Sequence, residues 1–152
     1  MNGPADFYLG ESLVQVIAKA RVGIRKLADR HSMSRYGVTS QQGSILFAIA
    51  SGRCLTASDV ARVFGIDASA ATRLLDRLEK RGLLTRVQSI PDRRVIRLML
   101  TENGRLTAEG SPLVLDIVTE KSLAGCSPEE IATLEIVLRR ILSNVGGDRI
   151  EA

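Results

Sequence analysis

The side chains best suited to binding chemistry are concentrated in one stretch. Between Thr56 and Arg105 stand ten basic residues (Arg62, Arg73, Arg77, Lys80, Arg81, Arg86, Arg93, Arg94, Arg97 and Arg105) against six acidic ones (Asp59, Asp67, Asp76, Glu79, Asp92 and Glu102). That span alone accounts for the net charge of +4. Positive charge gathered on one segment is what a nucleic-acid partner demands; a solvated basic face would have the same composition. Ser69, Thr72, Arg73 and Arg77 recur at helical spacing. Their hydroxyls and guanidinium groups can bond base edges or phosphates. Arg93 and Arg94 follow Pro91-Asp92 in a turn-like segment, and arginine is favoured where a minor groove is narrow. Asp92 would repel phosphate if free, so it is expected to pair with Arg94 or another arginine and orient it.

Enzymatic chemistry finds few components. His31 is the one histidine, so a histidine-based dyad has no spare partner. The glycines form no phosphate loop, and Glu129-Glu130 reads as a helix start. Cys54 and Cys126 stand alone, without CxxC or Cys/His spacing. This argues against a disulfide framework or a metal set and for a reducing cytoplasm. No apolar run approaches the ~18 residues of a membrane span, and the first residues lack the pattern of a signal peptide. A soluble cytoplasmic protein is expected, with no enzyme activity, cofactor, metal or membrane partner.

The elements that must position the basic residues can be read from periodicity and caps. Leu13, Val16, Ile17, Ala20, Ile24 and Leu27 predict a long amphipathic helix from about Tyr8 to Arg30, with Ser32 to Val38 as a connector. Thr39 to Gln42 resembles a capping box and opens a short helix through Ile45, Leu46 and Ile49, stopped by Gly52. Thr56 to Asp59 caps a third helix that turns Val60, Ala61 and Phe64 inward and ends at Gly65. Asp67 caps a fourth, Ala68 to Arg81, buried along Ala71, Leu74, Leu75 and Leu78. Leu84 to Ser89 and Arg94 to Leu100 read as the strands of a hairpin. Thr101 starts a fifth helix to about Ala124, which Pro112 should kink or restart. Ser127-Pro128-Glu129-Glu130 opens a sixth.

Three short helices followed by a basic hairpin make the plan of a winged helix. The predicted fold is mainly α with a small β-hairpin wing: a winged helix-turn-helix DNA-binding domain plus a helical dimerisation domain. The expected division is 1–35 (N-terminal dimerisation helix), 36–101 (DNA-binding domain), 102–146 (C-terminal dimerisation helices) and 147–152 (tail). The fourth helix fits a major groove, and its N-terminus offers amide donors and a positive dipole end to a phosphate. The outer helices need a partner for their apolar faces. A second copy is the economical one, since paired recognition helices match a palindromic site. A winged helix used for protein or RNA contacts is the alternative of another class.

The stretch Thr72-Arg73-Leu74-Leu75-Asp76-Arg77-Leu78-Glu79-Lys80-Arg81-Gly82-Leu83, with Arg86, Asp92-Arg93-Arg94 and Leu100-Thr101, resembles the MarR family of bacterial regulators. The resemblance implies a homodimer on pseudo-palindromic double-stranded DNA. It also implies a minor-groove wing arginine at Arg94 paired with Asp92, and a repressor often relieved by a phenolic or aromatic acid. The DNA-binding set is then Ser69, Ala70, Thr72, Arg73, Arg77, Arg86, Asp92, Arg93 and Arg94. Ala70 and Ala71 stand where family members often carry Thr or Val, leaving fewer base-reading groups at the helix start. Ligands of the family usually sit between the dimerisation helices and the DNA-binding domain. That suggests Arg21, Arg25, His31, Tyr36 and Phe47 as an effector site. Redox control through Cys54, beside Arg53, or Cys126, just before a helix start, is the competing mechanism, because nearby positive charge favours thiolate. Peroxide sensors of the family usually carry their cysteine in the first helix, and this chain has none there.

Overall fold

The computed structural model describes residues 12–90 and 94–145. Eight elements follow in order: α1 (Leu13–Tyr36), α2 (Ser40–Ala50), α3 (Ala57–Phe64), α4 (Ala68–Lys80), β1 (Leu84–Gln88), β2 (Ile96–Leu100), α5 (Glu102–Ser122) and α6 (Pro128–Asn144). Each described helix begins at a side chain that caps its first turn. The caps are Ser12, Thr39, Thr56, Asp67, Thr101 and Ser127. In four of these the capping box is reciprocal, through Gln15, Gln42, Asp59 and Glu130. Such caps satisfy backbone donors that otherwise have no partner and contribute about 1 kcal/mol each.

α1 runs six residues past the predicted stop, so most of the expected Ser32–Val38 connector is helix. No residue between His31 and Arg35 breaks a helix, and Ser32 is buried. The chain leaves α1 only at Gly37, whose φ of 66° is a left-handed conformation that glycine adopts without penalty. α5 is likewise continuous through Pro112, with no restart. Ala108, Gly110, Ser111 and Val114 on this stretch are buried, and that burial favours the helix over the break expected from a missing N–H. The predicted start of α1 at Tyr8 lies outside the described residues.

The main core joins α2, α3, α4, the hairpin and the start of α5. Val38, Ile45, Leu46, Val60, Leu75, Leu78 and Leu84 are its largest fully buried aliphatics. Burying such a side chain contributes roughly 1.5–3 kcal/mol before entropy is counted. A smaller cluster of Ala28, Val114 and Val118 binds α1 to α5. β1 and β2 pair antiparallel, with Leu84 opposite Leu100, Arg86 opposite Leu98 and Gln88 opposite Ile96.

Candidate nucleic-acid interface

α3 and α4 form a helix-turn-helix. α3 ends at Gly65 in a left-handed conformation, and the Ile66 N–H returns to the Ala61 carbonyl. Asp67 then opens α4. Asp59 secures the other end of α3. Its Oδ2 accepts from the Leu55 and Thr56 amides and the Thr56 hydroxyl, and its Oδ1 accepts from Arg62. Burial acts to raise the Asp59 pKa, but these hydrogen bonds outweigh it and hold the carboxyl below its ordinary value.

α4 buries Ala71, Leu75 and Leu78 and turns Ser69, Thr72, Arg73, Arg77 and Lys80 to solvent. Two of these side chains fold onto the helix itself: Thr72 Oγ1 donates to the Ala68 carbonyl at 2.9 Å, and Arg77 Nε to the Arg73 carbonyl at 3.2 Å. Arg73 extends from the exposed face. Ala70 is half-buried, and its amide donates to Asp67 Oδ1 at 2.8 Å. That donor is therefore already used, and the expected phosphate site at the start of α4 is reduced by it.

Arg86, expected among the DNA contacts, is engaged within the protein. Its Nη1 lies 2.8 Å from Asp76 Oδ1 and 2.5 Å from Glu79 Oε2. Both acids lie on α4 at i, i+3 spacing, so one guanidinium reaches both. Arg94 is exposed beside β2. Asp92, Arg93 and the expected Asp92–Arg94 pairing lie outside the described residues.

Sequence reasoning missed two ties that hold α4 and the wing in place. Arg81 Nη2 donates to the Gly37 carbonyl at 2.5 Å, joining the end of α4 to the end of α1. The Leu98 amide donates to the Leu55 carbonyl at 2.9 Å, fastening β2 beside α3. Both acceptors are backbone carbonyls far away in sequence, which residue type does not announce.

The five expected effector residues are not gathered in one cavity. Arg25 contacts Gln41 at 3.3 Å and Asp29 at 3.9 Å. His31 Nε2 lies 3.3 Å from Lys121 Nζ. Tyr36 packs against Gly110, and Arg21 is exposed on α1. Phe47 lines a cavity of about 500 Å³ between α2, β2 and α5, together with Leu55, Leu98, Met99, Arg105 and Glu109.

The expectation of a reactive Cys54 is corrected. The residue is fully buried in the main core. Burial pushes its thiol pKa up and Asp59 adds to this, against smaller opposing effects of Arg53 and Arg62. A thiolate needs the reverse environment. Cys126 is exposed ahead of α6. Among the described residues no group of three His, Cys, Asp or Glu could hold a metal ion, and no helix is long and apolar enough to cross a membrane.

A helix-turn-helix followed by a two-stranded wing, with arginines on the exposed helix face and beside the hairpin turn, defines a winged helix-turn-helix protein. The MarR family model matches residues 36–95. The multiple antibiotic resistance protein MarR of Escherichia coli (strain K12) is 30% identical over 111 residues, covering 72% of this chain and 77% of that protein. The HTH-type transcriptional repressor MdtR of Bacillus subtilis (strain 168) is 37% identical over 94 residues, 62% of this chain and 54% of that one. A crystal structure of a mutant MarR from E. coli complexed with operator DNA superposes with a TM-score of 0.76 at 26% identity, covering 86% of this chain and 93% of that one. The chain belongs to the MarR family of winged-helix transcriptional regulators.

Proposed function

We propose that this chain is a cytoplasmic, non-enzymatic transcriptional repressor that binds a pseudo-palindromic operator in double-stranded DNA as a homodimer. α4 enters the major groove, where Ser69, Ala70, Thr72, Arg73 and Arg77 meet bases and phosphates. The wing, carrying Arg93 and Arg94, reaches the adjacent minor groove. The DNA-binding unit spans 36–101, and the dimer is built from α1 and residues 102–146. The observation that carries the reading is the division of the surface. The exposed side of α4 is basic, while α6 buries none of its residues and leaves Leu134, Ile136, Val137, Leu138 and Leu142 exposed. An apolar groove of about 600 Å³ between α1, α5 and α6, lined by Ile24, Val118, Leu134 and Leu138, awaits the partner's helices.

A small molecule relieves repression by occupying the cavity beside Phe47. Apolar walls from Leu55, Leu98 and Met99 suit an aromatic ring, and Arg105 suits a carboxylate. The reading is tested by fluorescence anisotropy with DNA from upstream of the chain's own gene, against a scrambled duplex, at several salt concentrations. Preferential binding that weakens steeply with salt is expected, because phosphate contacts release counterions. Binding to neither duplex at any salt contradicts it.

A further inference from the structure

The acids on α4 pose an electrostatic problem. Asp76 and Glu79 lie on the helix that, in the reading above, enters a polyanion's groove, and uncompensated negative charge there opposes binding. Their partner is Arg86. Glu79 grips it twice: Oε2 meets the guanidinium at 2.5 Å, and Oε1 accepts the Arg86 backbone N–H at 3.2 Å. Asp76 Oδ1 takes a second contact to the same Nη1 at 2.8 Å. The Arg86 side chain is only 25% exposed, so much of it is withdrawn from solvent and from any phosphate.

The backbone half of this grip follows from the register. Arg86 and Leu98 are opposite one another, and their N–H groups point out of the two-stranded ladder, as at a non-hydrogen-bonded pair. In an isolated ribbon both edges would be left to water. Here the Arg86 N–H goes to Glu79 of α4 and the Leu98 N–H to the Leu55 carbonyl before α3. The same rung is therefore fastened on both sides to the helix-turn-helix. The wing beyond it is a lever: from Arg86 to Ile90 is about 13 Å, so a tilt of about 10° at the rung moves the tip by about 2 Å, enough to break a hydrogen bond.

We propose that Arg86 is a positioning residue for DNA binding, which locks the wing to the recognition helix through Glu79 and Asp76 and touches no phosphate. The proposal rests on the DNA-binding reading. It makes an electrostatically inverted prediction: removing the acid weakens DNA binding, although deleting negative charge near DNA should otherwise strengthen it. It also separates Arg86 from Arg73, whose role as a phosphate contact would depend on charge alone.

The test measures affinity for a duplex that the wild-type chain prefers, across a salt series, for Arg86→Gln, Arg86→Lys and Glu79→Ala. Amide exchange by NMR in the free protein is followed alongside. Each variant is expected to bind roughly 5- to 30-fold more weakly, with the slope of log Kd against log salt unchanged. The lysine keeps the charge, but its ammonium ends one bond short of the Nη1 that both carboxylates meet, so it should not restore wild-type binding. Exchange of the Arg86 amide should accelerate in Glu79→Ala while the internally bonded amides of the hairpin keep their protection, a readout that needs no DNA. Arg86 is a phosphate contact instead if Arg86→Gln lowers the slope by about 0.9, Arg86→Lys binds as wild type, and Glu79→Ala binds as well or better. An unchanged Arg86 amide in Glu79→Ala overturns the clamp by itself. Failure of the wild-type chain to prefer any duplex overturns the functional reading, and an intact amide response would then leave only a structural tie.

Discussion

Tyr36, the last residue of α1, lies so close to Gly110 in α5 that a Cβ at Gly110 would clash with its ring carbons. The contact sets the distance between a helix of the proposed dimerisation region and the helix that follows the wing. Gly110→Ala is expected to destabilise the fold by about 1–3 kcal/mol through overpacking. The double variant with Tyr36→Ala should recover part of that loss, because the two changes share one space. Chemical denaturation checks both; additive losses would contradict the contact.

Asp59 makes stability depend on pH in a defined direction. Its folded pKa lies below the ordinary 3.8, so the stability it contributes is complete above that value and is lost as pH falls through the folded pKa. Asp59→Asn is expected to cost roughly 1–2 kcal/mol at pH 7. The gap from wild type should hold down to about pH 5 and close below 3.8. A gap that stays constant to pH 2 would show that the carboxylate is not the stabilising form.

The two cysteines should differ sharply towards an alkylating reagent. Cys126 is exposed and Cys54 is buried. Iodoacetamide under native conditions is expected to modify Cys126 within minutes and Cys54 only on unfolding, as read by peptide mass spectrometry. Comparable labelling of both would reinstate Cys54 as a redox candidate.

Arg73 and Arg94 should fail in different ways. Arg73→Ala is expected to weaken binding uniformly across sequences and to lower the salt slope by about 1, as loss of one phosphate contact does. Arg94→Ala should cost about 1–3 kcal/mol and relax preference at the bases beneath the wing, with the dimer intact. Competition assays against single-base variants of a preferred duplex separate the two. Unchanged affinity in Arg94→Ala would remove the wing from recognition.

The helix-turn-helix was legible because its signals are local. Thr39, Thr56 and Asp67 announce helix starts within three residues, and Gly65 announces a stop. Local signals fall short where tertiary structure decides. The end of α1 at Gly37 rather than Arg30 depends on burial of Ser32, and the continuity of α5 through Pro112 on packing. Arg53 beside Cys54 suggested a thiolate, yet the core around the sulfur dominates. In sequence Arg86 reads as one more basic residue of the wing, since nothing in its own neighbourhood reveals that Asp76 and Glu79 face it.

In the proposed dimer, two copies of α4 lie in successive major grooves of one operator. Hydroxyl-radical footprinting of the wild-type protein on a duplex selected from a random pool tests it most directly. Two related half-sites about one helical turn apart, centre to centre, are expected to be protected together at a single midpoint concentration. A single protected half-site, or protection with no preferred sequence, would contradict it.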